Sequence, residues 1–277
     1  MLALYDGSLE GLLCAFAAVD QRDPELAEFT PVGQAQPTLW DDALRIATDP
    51  AQARAFLNQV RTRVSDAAAH HVLHCWCAEV AGLENDLFRY VTLGFRHGAA
   101  VDEMHADLAV HRTLLAAQRV GGEIHRFHGI LRFREMADRS LYAPMAPDAN
   151  IAPLVAWHFT RRLRAERWLI HDTRRGVGAF WNGHDLDVVT VDGLADPGGG
   201  MELRESAEEA FYQALWRRYF EVVAIPERRN PDLQRRFLPR RYWQYLVEMP
   251  QRKQVLPAGE NQTVPGPLHD RRPRPST

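Results

Sequence analysis

Residues 168–191 read W-L-I-H-D-T-R-R-G-V-G-A-F-W-N-G-H-D-L-D-V-V-T-V, and the class of fold turns on them. Three runs rich in β-branched and aromatic side chains, 168–172, 177–181 and 186–191, are separated by polar breaks. The second break opens with Asn182-Gly183, the dipeptide that signals a hairpin most strongly. An antiparallel sheet is predicted. Working back, 130–134 alternates, with Leu131 and Phe133 on one face and Arg132 and Arg134 on the other, and 142–145 is read as its hairpin partner. Between these strands Asp148 or Asn150 caps a helix with Ile151, Leu154, Val155, His158 and Phe159 as its apolar stripe.

The first 120 residues read as mostly helical. Residues 2–5 form a short strand, Ser8 caps a helix over Leu9, Leu12, Leu13 and Phe16, and 22–49 lacks any clear period and reads as loop. Asp49-Pro50 and Ser65 open two further helices, the second with Leu73, Trp76, Cys77 and Val80 as its stripe, and helical pattern continues over 84–96 and 102–120. Gly121-Gly122 marks a change of period before a short helical turn. After a glycine-rich linker at 197–200, 206–223 is an amphipathic helix with Phe211, Leu215 and Tyr219 in register, and Asn230-Pro231 restarts a shorter one. The expectation is one α+β domain over 1–248: a helical lobe (1–120), a lobe with a small antiparallel sheet and flanking helices (121–196), and a C-terminal helical hairpin (206–248). Residues 249–277, rich in proline, read as a disordered tail.

Residues 225–245 carry the strongest functional signal, I-P-E-R-R-N-P-D-L-Q-R-R-F-L-P-R-R-Y-W-Q-Y. From 217 to 241, eight arginines face Glu221, Glu227 and Asp232, a local charge of +5 in a chain of net charge −3. Guanidinium forks grip phosphate bidentately and aromatic rings stack on bases, so the segment reads as a nucleic-acid surface. A solvated amphipathic helix end would show the same charge run. The candidate DNA-binding residues are Arg126, Arg132, Arg134, Arg228, Arg229, Arg235, Arg236, Arg240, Arg241 and Tyr242. Trp243, with Leu246 three residues on, reads as packing.

Composition narrows the chemistry. The single lysine, Lys253, lies at the start of the tail, which leaves no lysine in the folded part for a G-x4-G-K-[ST] phosphate loop or a Schiff base. Cys14, Cys75 and Cys77 are too few for a disulfide framework or an iron–sulfur loop, and reduced thiols are expected. No apolar run spans a bilayer and residues 1–6 lack the features of a signal peptide, so a cytoplasmic location without membrane partners is expected. His70, His74 and Cys77 share a helical face and are weak candidates for a metal, which is otherwise not expected; no cofactor is expected. Glu123, His125 and His128 form a second group beside Arg126, Arg132 and Arg134. His125 and His158 are weak catalytic candidates, His158 reading equally as a core residue.

Jointly, several segments resemble a bacterial family of DNA metabolism proteins of unknown biochemical activity. They are Tyr5-Asp6-Gly7-Ser8-Leu9-Glu10-Gly11, Leu87-Phe88-Arg89-Tyr90, His125-Arg126-Phe127-His128-Gly129 with Arg132-Phe133-Arg134, His158-Phe159, Glu227-Arg228-Arg229-Asn230-Pro231, and Pro239-Arg240-Arg241-Tyr242-Trp243. The resemblance covers most of 4–248. It implies work beside a radical SAM protein of DNA modification or repair, and a domain that is sometimes fused to a uracil-DNA-glycosylase-like one. This chain lacks both the cluster cysteines and the G-Q-D-P-Y loop of those glycosylases, and so is similar to the stand-alone form. The leading expectation is therefore a nucleic-acid-binding accessory with DNA and the radical SAM protein as partners. An enzyme acting on DNA or a nucleotide, and a protein-interaction module, are the alternatives.

Overall fold

The computed structural model of the chain describes residues 2–19, 27–34, 43–191 and 204–249. The chain opens with strand β1 (Leu2–Tyr5) and helix α1 (Leu9–Ala18), which Ser8 caps by accepting from the Gly11 N–H. β2 (Glu28–Pro31) and β3 (Leu44–Arg45) then pair with β1 on either side, both parallel, in the order β2-β1-β3. This corrects the loop expected over 22–49. The strands escaped notice because they are short, four residues in β2 and two in β3.

Helices α2 (Pro50–Arg63) and α3 (Asp66–Cys77) start at the predicted caps: Asp49 accepts from Ala51 N–H with Pro50 at the first position, and Ser65 accepts from Ala68 N–H. The buried residues of α3 are Ala68, Ala69, Val72, Cys75 and Cys77, and Trp76 packs against the cores; of the expected stripe Trp76 and Cys77 hold, whereas Val80 lies beyond the helix and is exposed. With α4 (Leu83–His97) these helices enclose a first core in which the Phe16 ring lies 4.9 Å from Phe29 and 5.2 Å from Phe88.

The longest helix, α5 (Leu108–Ile130), is capped by Asp107 and runs straight through Gly121-Gly122. A Cβ at 121 would stand 3.4 Å from His74 Cε1, an ordinary contact distance, so α5 packs against α3 at this point. The predicted break and the predicted strand at 130–134 are both corrected by this continuation. Strand β4 is only Arg134–Glu135, and it pairs antiparallel with β5 (Leu141–Met145) as expected.

From β5 the chain crosses through α6 (Ala152–Arg162) to β6 (Trp168–Asp172) and returns as β7 (Val177–Trp181) and β8 (Leu186–Thr190). The sheet runs β4-β5-β6-β7-β8, and the β5–β6 pair is parallel, as an intervening helix demands. The sheet is thus mixed, not antiparallel. The β7–β8 hairpin forms as predicted but over four residues, with Asn182 Oδ1 accepting from the His184 and Asp185 N–H groups. A second core lies here, with Trp168, Phe159, Trp181 and Phe127 at its centre. The architecture is α+β, with a C-terminal stretch of α7 (Glu209–Val223), α8 (Pro231–Phe237) and a 3-10 turn (Arg240–Tyr245). The linker at 197–200 and the tail from 250 onward lie outside the described residues. Among those described, no helix is long and apolar enough to cross a membrane.

Candidate nucleic-acid interface

The arginines named from sequence divide into two groups. Arg132 Nη2 donates to Glu248 Oε1 at 2.5 Å, Arg134 Nη1 to Glu205 Oε1 at 3.0 Å, and Arg241 Nη2 to Asp148 Oδ2 at 2.5 Å. All three are engaged with carboxylates of their own chain. Arg126 is likewise engaged, its Nε donating to the Phe237 carbonyl at 3.0 Å and tying α5 to the end of α8. Arg235 pairs with Asp232 one helical turn away.

Tyr242 is 1% exposed and cannot stack on a base. Its hydroxyl donates to Glu123 Oε1 at 2.5 Å and accepts from Arg241 at 2.9 Å. Burial, then the Glu123 carboxylate, push that phenol up to about 12, which keeps it a donor at any working pH. Glu123, itself buried, also accepts from the Asp148 and Ala149 N–H groups at 2.8 and 3.0 Å. These two N–H groups belong to the loop that leads into α6, whose N-cap Ile151 has no side-chain cap bond. The Glu123 expected in a polar group with His125 and His128 is therefore a fastener of three elements. Half-buried Trp243 donates from its indole to the Leu238 carbonyl at 3.0 Å, in keeping with packing.

Arg228, Arg229 and Arg236 form the other group. All three are exposed, and none has a carboxylate within ion-pair distance among the described residues. Arg240 is exposed too, its guanidinium 5.7 Å from the Trp243 ring. The backbone that presents them follows from the prolines: Pro226 begins a single 3-10 turn, Asn230 caps α8 by accepting from Leu233 N–H, and Pro231 fills its first position. Phe237, 66% exposed at the end of α8, adds an open ring beside them.

The histidines do not assemble as an acid/base set. His158 is exposed, which corrects its place on the apolar stripe, and its ring stacks on that of His128 at 4.4 Å. Burial, then His158 and His125, hold His128 below the usual imidazole range, so the stacked pair avoids double charge. His125 is exposed on α5. His70 faces solvent while Cys77 is buried in the second core, so the weak metal trio does not converge; among the described residues no group of three His, Cys, Asp or Glu side chains does. One polar network was not foreseen: His71 Nδ1 lies 3.0 Å from the Tyr90 hydroxyl, which donates to Asp102 Oδ1 at 2.6 Å. Its members come from three elements, and nothing in their spacing announces it.

The model of a family described as a domain of unknown function, DUF4130, matches residues 81–248, more than half of the chain. No curated protein and no solved structure matches it.

Proposed function

Given that the chain belongs to the DUF4130 family, we propose that it is a nucleic-acid-binding accessory protein whose contact surface is the α8 arm. The observation that carries this is the trio Arg228, Arg229 and Arg236, gathered on one short arm, exposed and, among the described residues, without acidic partners. Such forks take phosphate oxygens bidentately, and Phe237 beside them offers a face for an unpaired base. Contact of this kind follows the backbone and is independent of sequence. The sequence resemblance supplies the process, DNA repair or modification in company with a radical SAM enzyme, with this chain supplying grip on the strand.

Anisotropy of a labelled single-stranded oligonucleotide, titrated between about 50 and 200 mM salt, tests the reading. Three phosphate contacts predict that the Arg228→Ala/Arg229→Ala/Arg236→Ala variant loses tenfold or more in affinity and that its log–log salt slope flattens by about 2. Arg132→Ala and Arg241→Ala should lower Tm and leave the slope alone. Equal binding by the triple variant and the parent would refute the proposal.

A further inference from the structure

Helix α7 presents an apolar stripe that the described residues leave largely open, with the Arg132 guanidinium 5.1 Å from the Trp216 ring on one side of it. Phe211, Tyr212, Leu215, Trp216, Tyr219 and Phe220 are each between 39% and 65% exposed. Arg217, Arg218 and Glu221 occupy the opposite arc of the helix, so the stripe is an ordinary amphipathic face without its partner. It borders a groove of about 710 Å³ whose far wall includes Leu131 and Phe133. With ~150–250 Å² per aromatic ring and about half of each open, the stripe amounts to roughly 600 Å², the upper end of what a monomer leaves bare.

The order of residues along the stripe says what fits it. Residues 211–220 read Phe-Tyr-x-x-Leu-Trp-x-x-Tyr-Phe, in which the outer pairs Phe-Tyr and Tyr-Phe mirror each other about a Leu-Trp centre. A two-fold axis makes any contact from i to j recur from j to i, and an antiparallel helix pair reverses chain direction. We propose that α7 docks against α7 of a second copy, antiparallel, with the two-fold axis passing between Leu215 and Trp216. Tyr212 of one copy then faces Tyr219 of the other, Leu215 faces Trp216 with the two Leu215 residues flanking the axis, and Phe211 faces Phe220 at the edges. Each α7 lies in the groove of its partner, and the pair buries roughly 1,200 Å², the lower bound for a specific stable interface. Arg217 and Arg218 stay outside. The inference stands apart from nucleic-acid binding, which uses the α8 arm.

Light scattering after size exclusion, with nuclease-treated protein, should give twice the 31.5 kDa chain mass. Trp216→Glu should return the single-chain mass with an unchanged circular dichroism spectrum, because the side chain is already partly in water. Leu215→Cys should form a disulfide-linked dimer under oxidation and Ala210→Cys, on the polar arc, should not; the native Cys14, Cys75 and Cys77 are buried and stay silent. A single-chain mass for the parent at all concentrations, a dimer that survives Trp216→Glu, or equal cross-linking at 210 and 215 would overturn the proposal.

Discussion

Glu123 shows how one residue can change meaning between sequence and fold. Among histidines and arginines it reads as chemistry; in the structure it is a buried acceptor for two backbone N–H groups and the Tyr242 phenol. Glu123→Ala strands all three donors and is expected to cost about 3 kcal/mol in urea denaturation, whereas Tyr242→Phe removes one charge-assisted bond and should cost about 1–2 kcal/mol. Equal losses would mean that the phenol, not the backbone groups, carries the anchorage. The same blind spot explains Tyr242 itself. A ring after two arginines looks like a stacking platform, and only the fold reveals that Arg241 is turned towards Asp148, carrying its neighbour into the second core. Arg228, Arg229 and Arg236 are exposed, with no carboxylate paired to them among the described residues, although Glu227 and Asp232 lie close in sequence.

At the level of elements, caps and hairpin chemistry were read well: Ser8, Asp49, Ser65 and Asn230 all accept the bonds expected of them, and the three strands of 168–191 lie where their β-branched and aromatic runs put them. Glycine misled. The pair at 121–122 costs about 1 kcal/mol per residue in helix propensity, yet burial of Val120 and Phe127 and packing against α3 at His74 outweigh it. The β5–β6 pairing could have been foreseen, since strand, helix and strand in succession require a parallel crossover. Position decides what a glycine does here. Gly129 in α5 has nothing within 4 Å of a built Cβ, so Gly129→Ala should raise stability by about 0.5–1 kcal/mol. At Gly178 in β7 a Cβ would lie 2.7 Å from Leu169 Cδ1 and 3.1 Å from the Ile170 carbonyl, so Gly178→Ala should lower it by about 1–3 kcal/mol. Parallel thermal melts of the two variants check the opposite signs.

For the molecule as a whole, the family match and the cores do not share a boundary. The match starts at 81, between α3 and α4, while the first core is built from both sides of that point: Phe16, Phe56 and Val72 before it, Leu83, Leu87, Phe88 and Val91 after it. Trp76 and Ala78 touch both cores, and α5 carries Ala117 into the first and Val120 and Phe127 into the second. Arg175 adds a polar tie, donating to Glu79 at 2.7 Å from the sheet side and to the fully buried Asp172 at 2.8 Å. Removing 1–80 would bare the inner faces of α4 and α5; at ~1.5–3 kcal/mol for each large apolar side chain returned to water, the loss is on the order of 10 kcal/mol, as large as the whole stability of a typical domain. A fragment of 81–249 is therefore expected to show no cooperative thermal transition and to lose its near-ultraviolet circular dichroism, while 1–249 melts in one step. A fragment that melts cooperatively near the temperature of the longer chain would show that the second core and its sheet stand by themselves, and that the helices before residue 81 are an addition to the fold instead of half of its first core.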